Sequence, residues 1–234
     1  MHKLPQLLRF PRIYSLFCKF AKKQNYEKIL YLKSIKKGNT ILDLGANKGI
    51  FSYLFANLTG AKGQVHCFEP IPENLKSLKA NVSMFPWVEI HPFAVGDKNE
   101  TANMSYSIDD LEKATLLPEL HEDYSESTEI NLITLDEYLT KKELTPIHFV
   151  KCDIEGYELK ALTGMNSILA EFHPQLSIEI TISGEERKNI FNFLLENGYD
   201  QFQKIEKNFP LFNPKSNIPN DSYFYLYATS SLVA

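Results

Sequence analysis

Apolar positions along the chain follow two alternating rhythms. Short apolar runs over 40–44, 64–68, 87–92, 147–152, 175–180, 202–205 and 223–228 read as strands bounded by turn residues. Between them, apolar residues recur at three- and four-residue intervals and predict helices over 26–35, 49–57, 72–83, 157–169 and 184–197. A further amphipathic helix is predicted over 11–23, where Pro11 opens a repeat of Ile13, Leu16, Phe17 and Phe20. Strand and helix alternate from residue 39 onward, which specifies an α/β fold: a seven-stranded, mostly parallel sheet with helices on both faces and an antiparallel final strand. Ligands of such sheets bind beyond the carboxyl ends of the strands.

Two stretches break the alternation. An insertion at about 101–134 carries strands at 102–107 and 129–133 that flank the acidic segment 109–127, and 208–220 reads as a Pro- and Asn-rich loop. Long loops in compact domains tend to carry function.

At 234 residues, 44% hydrophobic and 23% charged, the chain has the composition of a folded protein with one main core. Its charge is uneven. Residues 1–38 hold ten of the 25 basic residues and one acid, Glu27, leaving 15 basic against 28 acidic residues in 39–234. We therefore divide the chain into a basic N-terminal extension, 1–38, and a main domain, 39–234. An acidic body is a poor match for nucleic acid, whose binding needs a basic stripe. The basic face of the 11–23 helix either packs on the domain or meets an anionic membrane surface. No apolar run approaches the ~20 residues that span a bilayer and no secretory signal is evident, so a cytoplasmic location is expected. Cys18, Cys67 and Cys152 form no CxxC pair, and the six histidines are scattered in sequence, so no metal site is assigned.

The first strand, Thr40–Leu44, runs into Gly45-Ala46-Asn47-Lys48-Gly49 and a helix. Glycines at 45 and 49 allow close backbone approach to a ligand, yet the spacing matches neither a P-loop nor GxGxxG. Asp43 at this turn would repel a pyrophosphate and suits a cationic centre. The second strand ends in Phe68-Glu69-Pro70, with Glu69 20 residues beyond Gly49, the offset at which an acid grips ribose hydroxyls. A nucleoside without phosphate that carries a cationic amino acid is S-adenosylmethionine (SAM). The alternative is that Asp43 and Glu69 only cap helices.

The motif Asp43-Leu44-Gly45-Ala46-Asn47-Lys48-Gly49 resembles the first motif of the FkbM family of SAM-dependent methyltransferases, in which asparagine replaces a middle glycine. Phe68-Glu69-Pro70-Ile71-Pro72-Glu73-Asn74, Ala94-Val95-Gly96-Asp97, Thr134-Leu135-Asp136 and Lys151-Cys152-Asp153-Ile154-Glu155-Gly156-Tyr157-Glu158 follow in the family's order, and the resemblance spans about 38–181. It implies a Rossmann-like class I methyltransferase in which Asp43, Gly45, Ala46, Asn47 and Gly49 hold the methionine part. Glu69, with Pro70 beside it, would bind the ribose, and Ala94 and Val95 would flank the adenine. Methylation of a hydroxyl on a sugar, glycan, glycolipid or related natural product is the implied activity, with that molecule as the partner. Where the family often carries a histidine, near Thr181, this chain has none.

Alternation along the fourth core strand places Phe149, Lys151 and Asp153 on one face and Val150 and Cys152 on the other. A lysine on a covered strand must pair or lose its proton, and Asp153 and Glu179 are its natural partners. Asp153 is the leading candidate for acceptor contact or general base, Glu155 the second, and Lys151 their internal partner. Glu158 reads as an acid in the first turn of the next helix. Asp153, Glu155 and Glu179 also offer oxygen donors to magnesium, but spacing alone does not establish a metal. Nitrogen or carbon methylation of a small metabolite, and a SAM-binding module without catalysis, remain the alternatives.

Overall fold

The computed structural model describes residues 25–107, 110–118, 124, 126–140, 146–221 and 224–233. The helix expected over 11–23, and the membrane-facing role weighed for it, lie outside the described residues. Among these, no helix is long and apolar enough to cross a membrane.

The first half of the chain forms α1 (Tyr26–Ser34), β1 (Thr40–Leu44), α2 (Ile50–Thr59), β2 (Gln64–Phe68), α3 (Pro72–Val82), β3 (Val88–His91), β4 (Ala94–Val95), β5 (Glu100–Ser107) and β6 (Asp110–Thr115). It continues through β7 (Glu126–Ile133), α4 (Leu135–Thr140), β8 (Phe149–Cys152), α5 (Glu158–Thr163), α6 (Asn166–Phe172), β9 (Gln175–Ile180), α7 (Gly184–Glu196), β10 (Gln201–Lys204), β11 (Leu211–Phe212) and β12 (Phe224–Thr229). The α1 helix begins where the Asn25 side chain accepts the Lys28 N–H at 3.0 Å, and α3 begins at Pro72, whose missing N–H costs nothing there.

The main sheet has the order β11-β10-β12-β9-β8-β1-β2-β3. The strands β9, β8, β1, β2 and β3 are parallel, and β12, β10 and β11 extend the sheet antiparallel. All seven expected strands are present. The eighth, β11, is a two-residue edge formed inside the stretch expected as loop. β1 lies centrally, with β2 on one side and β8 on the other, so the order of the chain reverses there and opens a crevice at the strands' carboxyl ends.

Every residue of β1 is buried because helices cover both faces of the sheet. Ile41, Val65, Cys67 and Phe149 pack with α1, α2 and α3, and Leu42, Leu44, Val150 and Ile178 pack on the opposite face with α5, α6 and α7. Lys151 and Asp43, two residues on from Phe149 and Ile41, therefore point toward α1 and α2.

The insertion folds together with β4 into a second sheet of order β4-β7-β5-β6, in which β6 and its pairing with β5 were not expected. Its apolar side, with Ala94, Met104, Ile130 and Leu132, packs on Ile71 just beyond β2. The single helix expected over 157–169 divides at Gly164 into α5 and α6. A Cβ on Gly164 would stand 1.8 Å from the carbonyl oxygen of Gly96, so this glycine allows the chain after β4 to press against the break.

Candidate active site

The carboxyl ends of β1 and β8 meet in a backbone contact that only glycine permits. Asp153 N–H donates to the Leu44 carbonyl at 3.2 Å, extending the β1–β8 ladder by one residue. A Cβ on Gly45 would then lie 1.9 Å from the Asp153 carbonyl oxygen, and Gly45 has φ +76°, a left-handed value. Gly45 and Ala46 both donate N–H groups to the Phe68 carbonyl at 3.0 Å, which draws the turn across the end of β2.

Glu69 locks that turn. Its Oε2 accepts the Asn47 N–H at 2.8 Å, and its Oε1 accepts the Ile71 N–H at 2.9 Å and the Asn74 side-chain amide at 3.4 Å. Burial raises the Glu69 pKa, and these hydrogen bonds work against the rise. A carboxylate offers about four acceptor sites. Three are filled, so one remains for a ligand hydroxyl.

A cavity of about 360 Å³ opens above the crevice, within the usual range of small-molecule sites. Gly45, Ala46, Asn47, Glu69 and Pro70 form one wall, and Lys151, Asp153, Glu155, Glu179 and Tyr225 form another. Asn25, which caps α1, and Lys28 of that helix also line it. Ala94 and Val95 line a smaller adjoining recess with Phe93 and Tyr157. Two residues assigned to the cofactor set stand apart from the cavity wall. Gly49 caps α2 and faces Leu78. Asp43 is fully buried beneath the turn, where Oδ2 accepts the Ser52 hydroxyl at 2.6 Å and Oδ1 has no hydrogen-bond partner among the described residues.

Lys151 is the electrostatic centre. Only 3% of its side chain is exposed, and Nζ donates to Asp153 Oδ2 at 2.7 Å. Burial would lower its pKa, but the carboxylates of Asp153, Asp43 and Glu27 outweigh burial and push it up, so the ammonium stays charged. The Phe51 ring lies 5.0 Å from Nζ and adds a cation–π contact. For Asp153, burial is likewise opposed by the Lys151 charge and by hydrogen bonds from Glu179 and Lys151; the net effect holds its pKa below the ordinary value. Glu179 moves the other way: burial, then its hydrogen bond with Asp153 and the charges of Asp153 and Glu155, raise it.

The turn after Asp153 is braced from two sides. Glu155 adopts φ +53° and Gly156 φ +98°, so a non-glycine residue sits in the left-handed region at the cavity wall. The Thr115 hydroxyl, from β6, donates to the Glu155 carbonyl at 2.6 Å. Gly156 N–H donates to Glu158 Oε1 at 2.9 Å, while Glu158 Oε2 is buried without a hydrogen-bond partner among the described residues. Burial raises the Glu158 pKa to about 8, against the lowering effect of its backbone hydrogen bonds.

Sequence spacing did not reveal two of these relations. Glu27 reaches Lys151 and Asp153 from α1, with its carboxylate accepting the Tyr31 hydroxyl at 2.8 Å. His66 and His91, read as scattered, meet across β2 and β3 with Nδ1 and Nε2 3.1 Å apart. His91 also bonds the Tyr138 hydroxyl at 3.0 Å.

Residues 43–200 match the family model described as the methyltransferase FkbM domain. The chain belongs to the FkbM methyltransferase family. Among relatives of this FkbM-family chain, 31-O-demethyl-FK506 methyltransferase FkbM of Streptomyces tacrolimicus is 25% identical, over 59% of this chain and 67% of that protein. Hexuronic acid methyltransferase AglP of Haloferax volcanii is 28% identical, over 60% of this chain and 55% of that protein. The crystal structure of methyltransferase FkbM from Methylobacillus flagellatus KT matches with a TM-score of 0.54 at 18% identity, covering 95% of this chain and 57% of that one. Aeropyrum pernix fibrillarin, solved with natively bound SAM, matches with a TM-score of 0.50 at 11% identity, covering 95% of this chain and 75% of that one. The FkbM-family chain thus spans little more than half the length of AglP and of the Methylobacillus structure. These likenesses in structure establish the Rossmann-like methyltransferase fold.

Proposed function

We propose that this chain transfers the methyl group of SAM to a hydroxyl of a sugar, glycan, glycolipid or related natural product. The names of its relatives record methylation of 31-O-demethyl-FK506 and of a hexuronic acid, which supports that class of acceptor. The cavity residues fit SAM: Glu69 retains acceptor capacity for a ribose hydroxyl, the Gly45–Ala46–Asn47 backbone leaves room for the methionine part, and the recess at Ala94 and Val95 is apolar enough for adenine. When bound, SAM supplies a sulfonium methyl group whose bond to sulfur breaks, leaving the electron pair on sulfur, as the acceptor oxygen bonds to carbon.

The observation that carries the reading is Asp153, which lines the cavity, touches the glycine turn through its backbone and is kept ionised by Lys151. Asp153 takes the acceptor's proton as the new O–C bond forms, a contribution of about 10²- to 10⁴-fold. Lys151 holds the carboxylate in one orientation. Glu155 faces the same space and holds the acceptor, and the insertion sheet, bonded to the Glu155 carbonyl through Thr115, forms the acceptor side of the site.

The test is mass spectrometry of saccharides and cell extracts incubated with the protein and SAM, which should reveal added methyl groups on hydroxyl oxygen. Asp153→Asn should lower turnover by about 10²- to 10⁴-fold while calorimetry shows SAM affinity retained. An unchanged rate would remove Asp153 from the mechanism.

A further inference from the structure

We propose that Asp153 and Glu179 act as one carboxyl pair that holds a single proton, with Glu179 the positioning residue that donates it to Asp153. The role in methyl transfer rests on the function proposed above; the proton sharing rests on geometry alone. β8 and β9 pair in parallel register with Lys151 opposite Ser177, so Asp153 and Glu179 follow at the next same-face position of each strand. One carboxylate oxygen from each of Asp153, Glu155 and Glu179 lies within 4.8 Å of the other two. Two carboxylates this close do not both ionise readily, and one of them keeps a proton.

The surroundings decide which one. Lys151 donates to Asp153 Oδ2 at 2.7 Å, which favours the negative charge there. Among the described residues, the groups acting on Glu179 are Asp153, Glu155 and, opposite it on β12, Tyr225. The Asp153 charge in turn acts on Asp43, Glu27 and Glu158, all carboxyls, and raises each of them. The opposite pKa shifts of Asp153, downward, and Glu179, upward, agree with this assignment. A protonated Glu179 thus supplies a donor that keeps the Asp153 carboxylate ionised and aimed into the cavity, ready to accept the acceptor's proton. The arrangement titrates as a pair, with macroscopic steps belonging to both groups.

The experiment is a carboxyl-¹³C NMR titration of full-length protein labelled at Asp and Glu side chains, for the wild type, Glu179→Gln and Glu179→Leu. In the wild type, one Asp carboxyl assigned by Asp153→Asn should titrate below ~3.9 and one Glu carboxyl assigned by Glu179→Gln above ~4.3, the ordinary values. Glu179→Gln keeps a donor and should leave the Asp153 midpoint nearly in place. Glu179→Leu removes the donor and should raise that midpoint by about one pH unit, a tenfold change in the ionisation constant. The acid limb of the methyl-transfer pH profile should move with it in Leu and stay in Gln. Independent titration of both wild-type carboxyls at ordinary values, or equal shifts in Gln and Leu, would overturn the pair. If Glu179→Leu does not fold, the wild-type and Gln titrations still decide between sharing and independence. Absence of methyl transfer by the wild type would overturn the proposed function and leave the NMR result intact.

Discussion

Lys151→Met replaces the central ammonium with an uncharged side chain of similar length. The cation is 3% exposed and 2.7 Å from Asp153 Oδ2, with Asp43 and Glu27 also acting on it, so its loss leaves carboxylates without compensation. Breaking a buried pair by removing one partner costs about 3–5 kcal/mol. For a domain of this size that corresponds to a melting temperature lower by about 6–20 °C. The deficit should depend on pH in a defined direction. In the wild type the Asp153 pKa is depressed, so its pair contributes stability above the unfolded value and loses it as pH falls through the folded one. Without Lys151, burial dominates and the folded carboxyls hold protons more tightly than the unfolded ones, so stability falls as pH rises. Urea unfolding should therefore show a larger deficit at about pH 8 than at about pH 5. The double variant Lys151→Met/Asp153→Asn should recover part of the loss at the higher pH, because one of the uncompensated charges has gone. A deficit below about 1 kcal/mol at the higher pH, or one equal at both, would refute the argument that this cation holds the cluster together.

Three further substitutions probe the site from other sides. Gly45→Ala places a Cβ 1.9 Å from the Asp153 carbonyl at φ +76°; steady-state kinetics should show turnover lowered by about 10²-fold as the strand ends separate, and a normal rate would mean that the contact is not needed. Glu155→Gly relieves a left-handed conformation at φ +53° and should raise stability by about 0.5–1 kcal/mol while lowering turnover, as urea titration and kinetics would read; a loss of stability would contradict the strain. Glu158 has a folded pKa raised to about 8, so its contribution is complete below about pH 4.3 and declines until pH passes that folded value. Glu158→Gln should flatten this part of the melting-temperature profile, and an unaltered pH slope would argue against a protonated buried Glu158.

The chemistry-bearing residues of the β8 end were legible because strand parity is local. Phe149 faces the α1–α3 layer, so Lys151 follows it there by the two-residue period. Glu69 was legible because the glycine turn and the next strand end lie a fixed distance apart in this topology. Asp43 shows the limit of that reading. Its place near the end of an apolar strand marks the turn correctly, but side-chain direction and packing put its carboxylate under the turn, against Ser52, and away from the cavity wall. The β6 strand was hidden for a different reason: Asp110–Thr115 is charged, and antiparallel pairing with β5 makes it a strand.

The sequence by itself determined the alternation of strands and helices, the glycine turn, and the kinds of group gathered at the strand ends, because each follows from periodicity or from backbone freedom within a few residues. Only the tertiary structure decided that Lys151 pairs with Asp153 while Glu179 acts on Asp153, that Glu27 joins them from α1, and that Thr115 secures the Glu155 turn. Those relations depend on register between strands and on which layer covers which face. The protonation of a buried carboxyl depends on the groups within a few ångströms of it, and those groups come from residues as distant in the chain as Glu27 and Glu179.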